Sequence, residues 1–271
     1  PAARKVMALT YKLGKAGDVP WTKGWDRYLF LSSELERGFR KKLKAQSSKL
    51  KIQDSKLKTA VLAPPVDLSP FLSVQPKYDG QLRILRHSSQ GDKKFPEELP
   101  EIMAACRPSI VPGPDAVGFN GAMFYFMPGP SWMRHEVNVV KCPYSDDTGS
   151  VARFLSMGSA YWYLLPEGYT DQGPRVIVEA MAAGLPVICE DRDGPADRVT
   201  SKTGWKLDSH DEAAELINSL TPEILADKGR AAKQRAREEF VKEKWIKEIL
   251  DTEDNNGQVH TESQAEVQGV S

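Results

Sequence analysis

The chain has 271 residues, 40 % hydrophobic and 27 % charged, a length for one large or two modest domains and an ordinary globular composition. No apolar run approaches the roughly 18–20 residues of a membrane-spanning helix, and residues 1–10 carry no signal-peptide pattern. Cys106, Cys142 and Cys189 lie far apart without CxxC spacing, which argues against a disulfide framework or structural zinc and for a reducing cytoplasm. The formal charge of zero divides unevenly. Residues 1–60 hold 15 Lys and Arg against 5 Asp and Glu, and the rest holds 22 against 32. A basic segment at 37–58 on an acidic body suits an anionic partner: a phosphorylated acceptor, a nucleic acid or a membrane face. A solvated helix and loop is the alternative reading of the same residues.

In chain order, 4–10 and 27–32 read as short buried strands. Ser32 or Ser33 then caps a helix to about Leu43, with Glu34 and Glu36 in its first turn and Arg40, Lys41 and Lys42 in its last, an order that suits the helix dipole. Residues 44–59 read as an exposed connection. A strand over 60–66 is stopped by Pro64 and Pro65. Strands follow at 82–87, 122–128, 136–141, 160–166 and 185–190, with helices at 97–107, 149–158, 173–184, 210–220 and 222–250. Pro174 opens and Gly184 closes the 173–184 helix. This alternation predicts an α/β fold, a parallel sheet with helices on both faces. Residues 251–271 are polar without apolar period and read as a disordered tail.

The stretch 169–188 concentrates the chemistry. A loop with Asp171 and Gly173 runs into a helix whose start, Gly173–Pro174–Arg175, offers unpaired N–H groups and a fixed charge. Such an end at the carboxyl edge of a strand is an anion site. Glu179 interrupts an otherwise apolar helix. It is either solvent-facing or a costly buried carboxylate that needs hydroxyl partners. A second stretch, 86–94, follows a strand with Arg86, His87, Ser88, Lys93 and Lys94 around Gly91. Strand-end loops of this make-up hold phosphate through charge and backbone donors, although the lysines are equally plain surface charges. The aromatic cluster 161–165 reads first as core and not as a sugar platform, and Trp21 and Trp25 first as packing residues and not as acceptor or membrane contacts.

These motifs together resemble the C-terminal, donor-binding part of a family 4, GT-B-fold retaining glycosyltransferase. Pro64, Val66, Asp67 and Phe71 resemble the inter-domain signature, Arg86 with Lys93 or Lys94 the diphosphate loop, and 171–188 the two-acid motif with its Ala-Met-Ala-x-Gly-x-Pro-Val ending. Residues 191–199 and 203–205 resemble the elements that follow, so the likeness runs over about 1–250. It implies a Rossmann-like nucleotide-sugar-binding domain at 60–250. Before it come the end of an N-terminal Rossmann-like, acceptor-side domain and a basic linker at 1–59, and after it a tail at 251–271. It implies hexosyl transfer from a nucleoside diphosphate sugar, UDP- or GDP-linked, with retention of configuration. No cofactor or metal is expected, because no Asp-x-Asp motif stands in a suitable loop. Arg86, Lys94, Asp171 and Glu179 form the implied catalytic set, and Ser88, Lys93, Gly173, Pro174 and Arg175 the implied donor-binding set. The chain departs from the family in having Asp171 where Glu faces the donor sugar. None of His87, His135, His210 and His260 matches the family's acceptor-side histidine. A second chain supplying the rest of the N-terminal domain is one implied partner. A nucleotide-sugar-binding module without catalysis, a same-fold epimerase or phosphorylase, and a nucleic-acid-associated protein, DNA-base glycosylation included, are the alternatives.

Overall fold

The computed structural model describes residues 6–9, 27–50, 58–79, 81–89, 91–106, 121–133 and 138–250. The readings for Trp21, Trp25, His135, His260, the 51–57 stretch and the 251–271 tail lie outside these residues. Two parallel sheets carry the fold. In the first, β1 (Val6–Leu9), β2 (Arg27–Phe30) and β3 (Thr59–Val61) stand in the order β1-β2-β3. Helix α1 (Ser33–Leu50) joins β2 to β3. Leu35, Phe39 and Leu43, spaced by four, form its buried face, and the Phe39 ring lies 4.9 Å from Tyr28 and 5.3 Å from Phe30. The helix runs seven residues beyond the expected end at Leu43, into what reads as a loop. No Gly or Pro interrupts 44–50, and Lys, Ala, Gln and Leu are good helix formers, so nothing local stops it.

The second sheet has six strands: β4 (Leu82–His87), β5 (Ala122–Met127), β6 (Val139–Lys141), β7 (Ala160–Tyr163), β8 (Val187–Glu190) and β9 (Gly204–Leu207). All pairs are parallel, in the order β6-β5-β4-β7-β8-β9. Around it stand α2 (Ser69–Leu72), α3 (Leu99–Ala105), α4 (Thr148–Leu155), α5 (Arg175–Ala182), α6 (Asp193–Arg198), α7 (Glu212–Asn218), α8 (Pro222–Glu239) and α9 (Lys242–Leu250). The expected helices on both faces are present, and strand alternation explains them. Leu85, Tyr161, Tyr163, Val187 and Cys189 pack with Phe154, Ile177, Val178, Met181 and Ala232 on one face. Ile84, Phe124, Trp162, Leu164 and Ile188 pack with Leu99, Met103 and Ile217 on the other. Neighbouring strand residues thus bury in opposite directions. Each fully buried Leu, Ile or Phe side chain contributes about 1.5–3 kcal/mol.

Local signals set most boundaries. Asp147 caps α4 by accepting from the Ser150 amide at 2.7 Å. Gly184 follows α5 at φ +86°, the left-handed turn a glycine takes most readily after a helix. Four short elements, α2, α6, β9 and a 3-10 turn at Asp92–Lys94, have no counterpart among the expected helices and strands. The expected single helix 222–250 is two: Phe240 turns into the core and Val241 bridges to Val66. The strand expected over 60–66 is only β3, stopped before Pro64. Among the described residues no helix is long and apolar enough to cross a membrane.

Candidate functional site

Strand order reverses at one place in the large sheet. From β4 the chain proceeds to β5 and β6 on one side, and β7, β8 and β9 continue on the other. Open α/β sheets bind ligands outside the carboxyl ends of the strands at such a switch point. Here those ends are His87 and Tyr163, and the loops that leave them are the two motif-bearing stretches of the sequence.

Arg86 is fully buried. Its guanidinium lies 4.4 Å from the Phe95 ring centroid and 5.0 Å from that of Tyr163. Its terminal nitrogens donate to the carbonyls of Leu164 and Lys94. It therefore ties the loop after β4 to the loop after β7, and its head group does not stand in the open cleft. Burial pulls its pKa down, against the opposing pull of Tyr163, Tyr161, Glu190 and Asp171. Lys94 is only partly buried. Burial lowers its pKa as well, and Asp171 is the strongest group favouring its charged form.

Asp171 lies in the loop ahead of α5, not on a helical extension of it. Its Oδ2 accepts from the Tyr163 hydroxyl at 2.7 Å and its Oδ1 from the Gly173 amide at 3.1 Å. Glu179 is partly buried, with its carboxylate 2.7 Å from His87 Nε2, so the solvent-facing reading does not hold. Ser88 is buried, with no partner for its hydroxyl. Pro174 stands at the N-cap of α5, where no side chain caps the first turn. The amides of this first turn carry the positive end of the helix dipole. Arg175 and Lys93 are exposed at the margin. Gly173 sits against the turn that follows β2: a Cβ there would lie 2.7 Å from Leu31 Cδ1. Next to it Ser32 donates to Gln172, and Asp197 accepts from the Ser33 amide and hydroxyl at 2.7 and 2.9 Å.

A second polar cluster, carried by no motif in the sequence, stands at the ends of β8 and β9. Glu190 is buried. Its Oε1 accepts from the Leu165 amide at 2.5 Å, His210 Nε2 at 2.9 Å and Arg192 at 3.4 Å. Arg192 in turn donates to the carbonyls of Leu165, Pro166 and Tyr169. The cluster thus holds the 165–169 loop that leads to Asp171. Donation to the Glu190 carboxylate raises the His210 pKa above 6.5. The one signal for this in the sequence is an acid ending an apolar strand. Tyr161 and Tyr163 are core residues, as read, yet their hydroxyls reach the His87 carbonyl and Asp171. Among the described residues no group of three or more His, Cys, Asp or Glu is placed to hold a metal ion.

Residues 138–239, from the β6 approach to the end of α8, match the family described as Glycosyl transferases group 1. The fold is that of the GT-B glycosyltransferases. Anabaena HepE, solved in complex with UDP and glucose, superposes with a TM-score of 0.59 at 14 % identity, over 85 % of this chain and 63 % of that one. TarM of S. aureus, in complex with Fondaparinux, alpha-GlcNAc-glycerol and UDP, gives 0.60 at 14 %, over 92 % and 51 %. Sucrose-phosphate synthase of Thermosynechococcus elongatus gives 0.56 at 16 %, over 83 % and 57 %. The chain thus spans between half and two thirds of the length of these structures. No curated protein matches the sequence.

Proposed function

We propose that this GT-B chain binds a nucleoside diphosphate sugar at the β4–β7 switch point and transfers the sugar to an acceptor, with retention of configuration and without a metal ion. The observation that carries the reading is the switch point itself, which gathers Lys94, Arg86, Asp171, Glu179 and the uncapped start of α5 within one sheet edge. Lys94 and the α5 amides would bear the charge that grows on the diphosphate as it leaves, the task of electrostatic transition-state stabilisation. Arg86 would contribute its charge from below while holding both loops in register. Glu179 would accept from ribose hydroxyls, and Asp171 from a hydroxyl of the transferred hexose. In front-face attack the bond from the anomeric carbon to the phosphate oxygen breaks and that to the acceptor oxygen forms on the same face. The acceptor proton passes to the departing phosphate. The UDP complexes of HepE and TarM favour UDP as the donor nucleotide, ahead of GDP. We read the acceptor as anionic, a nucleic acid and a membrane face included, because Arg37 and Lys41 of the basic stretch 37–58 are exposed on α1. A second chain completing the acceptor side belongs to the same proposal. Binding without transfer is the second reading, favoured by the engagement of both Arg86 terminal nitrogens with backbone carbonyls.

A thermal-shift panel with UDP, GDP, ADP and TDP, with and without magnesium, tests the donor site. A ligand at one hundred times its Kd stabilises the folded state by about 2.7 kcal/mol, a rise of roughly 5–10 °C for a chain of this size. Glu179→Ala should abolish most of that rise, and magnesium should not alter it. The absence of a shift with every nucleotide would refute the site. Turnover of the UDP-sugar, followed as UDP release, separates transfer from binding alone.

A further inference from the structure

We propose that His87 is a positioning residue for Glu179. Its Nε2–H holds one carboxylate oxygen 2.7 Å away and leaves the other to meet a hydroxyl of the bound nucleotide's ribose. The proposal rests on the reading of the switch point as a nucleotide-sugar site. A carboxylate can only accept, so the His87 nitrogen facing it carries the proton. The side chains are 7 % and 17 % exposed, and a charge-assisted hydrogen bond withdrawn from water holds its geometry better than an exposed one.

His87 is well placed to give that hold. It ends β4, and strand alternation puts it on the same face as Leu85, the face that α5 covers. Its carbonyl accepts from the Tyr161 hydroxyl at 2.8 Å. Its ring lies edge-on to Tyr161 at 5.4 Å and to Phe154 at 6.4 Å. Both neighbours are core residues, so the imidazole is a fixed donor. Among the described residues no other donor is bonded to the Glu179 carboxylate, so without His87 the side chain would be free to turn about its own torsions. Ordering such a side chain on binding lowers affinity by roughly threefold to tenfold, and losing the bond that aims it adds to this.

The test is titration calorimetry with UDP, or with GDP or ADP where that nucleotide gives the larger thermal shift. Wild type is compared with His87→Ala, His87→Gln, Glu179→Ala and the double variant His87→Ala/Glu179→Ala. His87→Ala should bind about tenfold more weakly. His87→Gln keeps an N–H at similar reach and should recover most of that loss. In the Glu179→Ala background, removal of His87 should change affinity by less than about twofold, since its effect runs through the acid. Should His87→Ala not fold, His87→Phe replaces it: it packs between Tyr161 and Phe154 and offers no donor. Wild-type affinity in the donor-free variant overturns the proposal. So does an equal loss in both Glu179 backgrounds with no recovery by Gln, which marks a purely structural histidine. If no nucleotide binds the wild-type chain, the donor-site reading falls and this proposal with it. If nucleotide binds but the variants behave alike, only the proposal falls.

Discussion

Gly194→Ala links the packing of the fold to the geometry of the site. Gly194 is in α6, and its amide donates to the Asp171 carbonyl at 3.1 Å. A Cβ at this position would lie 2.5 Å from the Gln172 carbonyl oxygen and 2.6 Å from that of Asp171. Ordinary van der Waals contact begins near 3.4 Å, so two stretches of backbone must separate by close to 1 Å. Neither is the end of a flexible side chain. One is the loop that holds Asp171, pinned through Tyr163 and Gly173, and the other is held by β8. Over-packing of this kind costs about 1–3 kcal/mol, which for a chain of this size lowers Tm by roughly 2–12 °C. The same displacement moves Asp171, and a misplacement near 1 Å costs up to about 10²-fold in rate. Differential scanning fluorimetry and the rate of UDP release from the UDP-sugar read the two effects. Gly38→Ala is the control: the position is exposed in α1 with nothing within 4 Å of the added methyl. Helix propensity there favours Ala by about 1 kcal/mol, so its Tm should rise. Wild-type Tm and a wild-type rate of UDP release together in Gly194→Ala would refute the packing argument.

Two further predictions concern the elements around the site. Asp197 caps α1 from across the interface through the Ser33 amide and hydroxyl; Asp197→Ala should cost about 1 kcal/mol and speed amide exchange at the start of α1, and unchanged exchange there would contradict the cap. The His210 pKa is raised by its bond to Glu190, so the pair's contribution to stability is complete below pH 6.5 and fades as pH rises through the raised value. His210→Gln should flatten the decline in stability above pH 6.5 in denaturant titrations, and an unchanged slope would remove His210 from the account.

Much of this organisation was legible in the residues. Strands such as Ala160–Tyr163 and the Val187–Cys189 part of β8 read as continuous apolar runs because both of their faces are buried. Pro174 and Gly184 marked the bounds of α5 through chemistry that acts within one turn. The two stretches proposed to carry the chemistry, 86–94 and 171–179, do lie at neighbouring strand ends, although their spacing along the chain says nothing of that. The short elements were less legible. Helix α6, written Asp-Gly-Pro-Ala-Asp-Arg, lacks an apolar period, and β9 has four residues at a sheet edge. Packing against neighbours, not local preference, makes them regular.

Neighbouring residues along the chain set the local chemistry: which segments bury, where helices begin and stop, and which loops carry charge. It did not determine partners. His87 and Glu179 are 92 residues apart, and Glu190, which ends β8, is 20 from His210, in the loop after β9. Arg86 reads as a charge for a phosphate, yet the fold closes Phe95, Tyr163 and two carbonyls around it. These outcomes follow from the assembled sheet, because strand order in a parallel sheet is set by long-range packing of faces that look alike along the chain. Once β7 pairs beside β4, every polar group at those strand ends must find its partner among neighbours that the order has chosen.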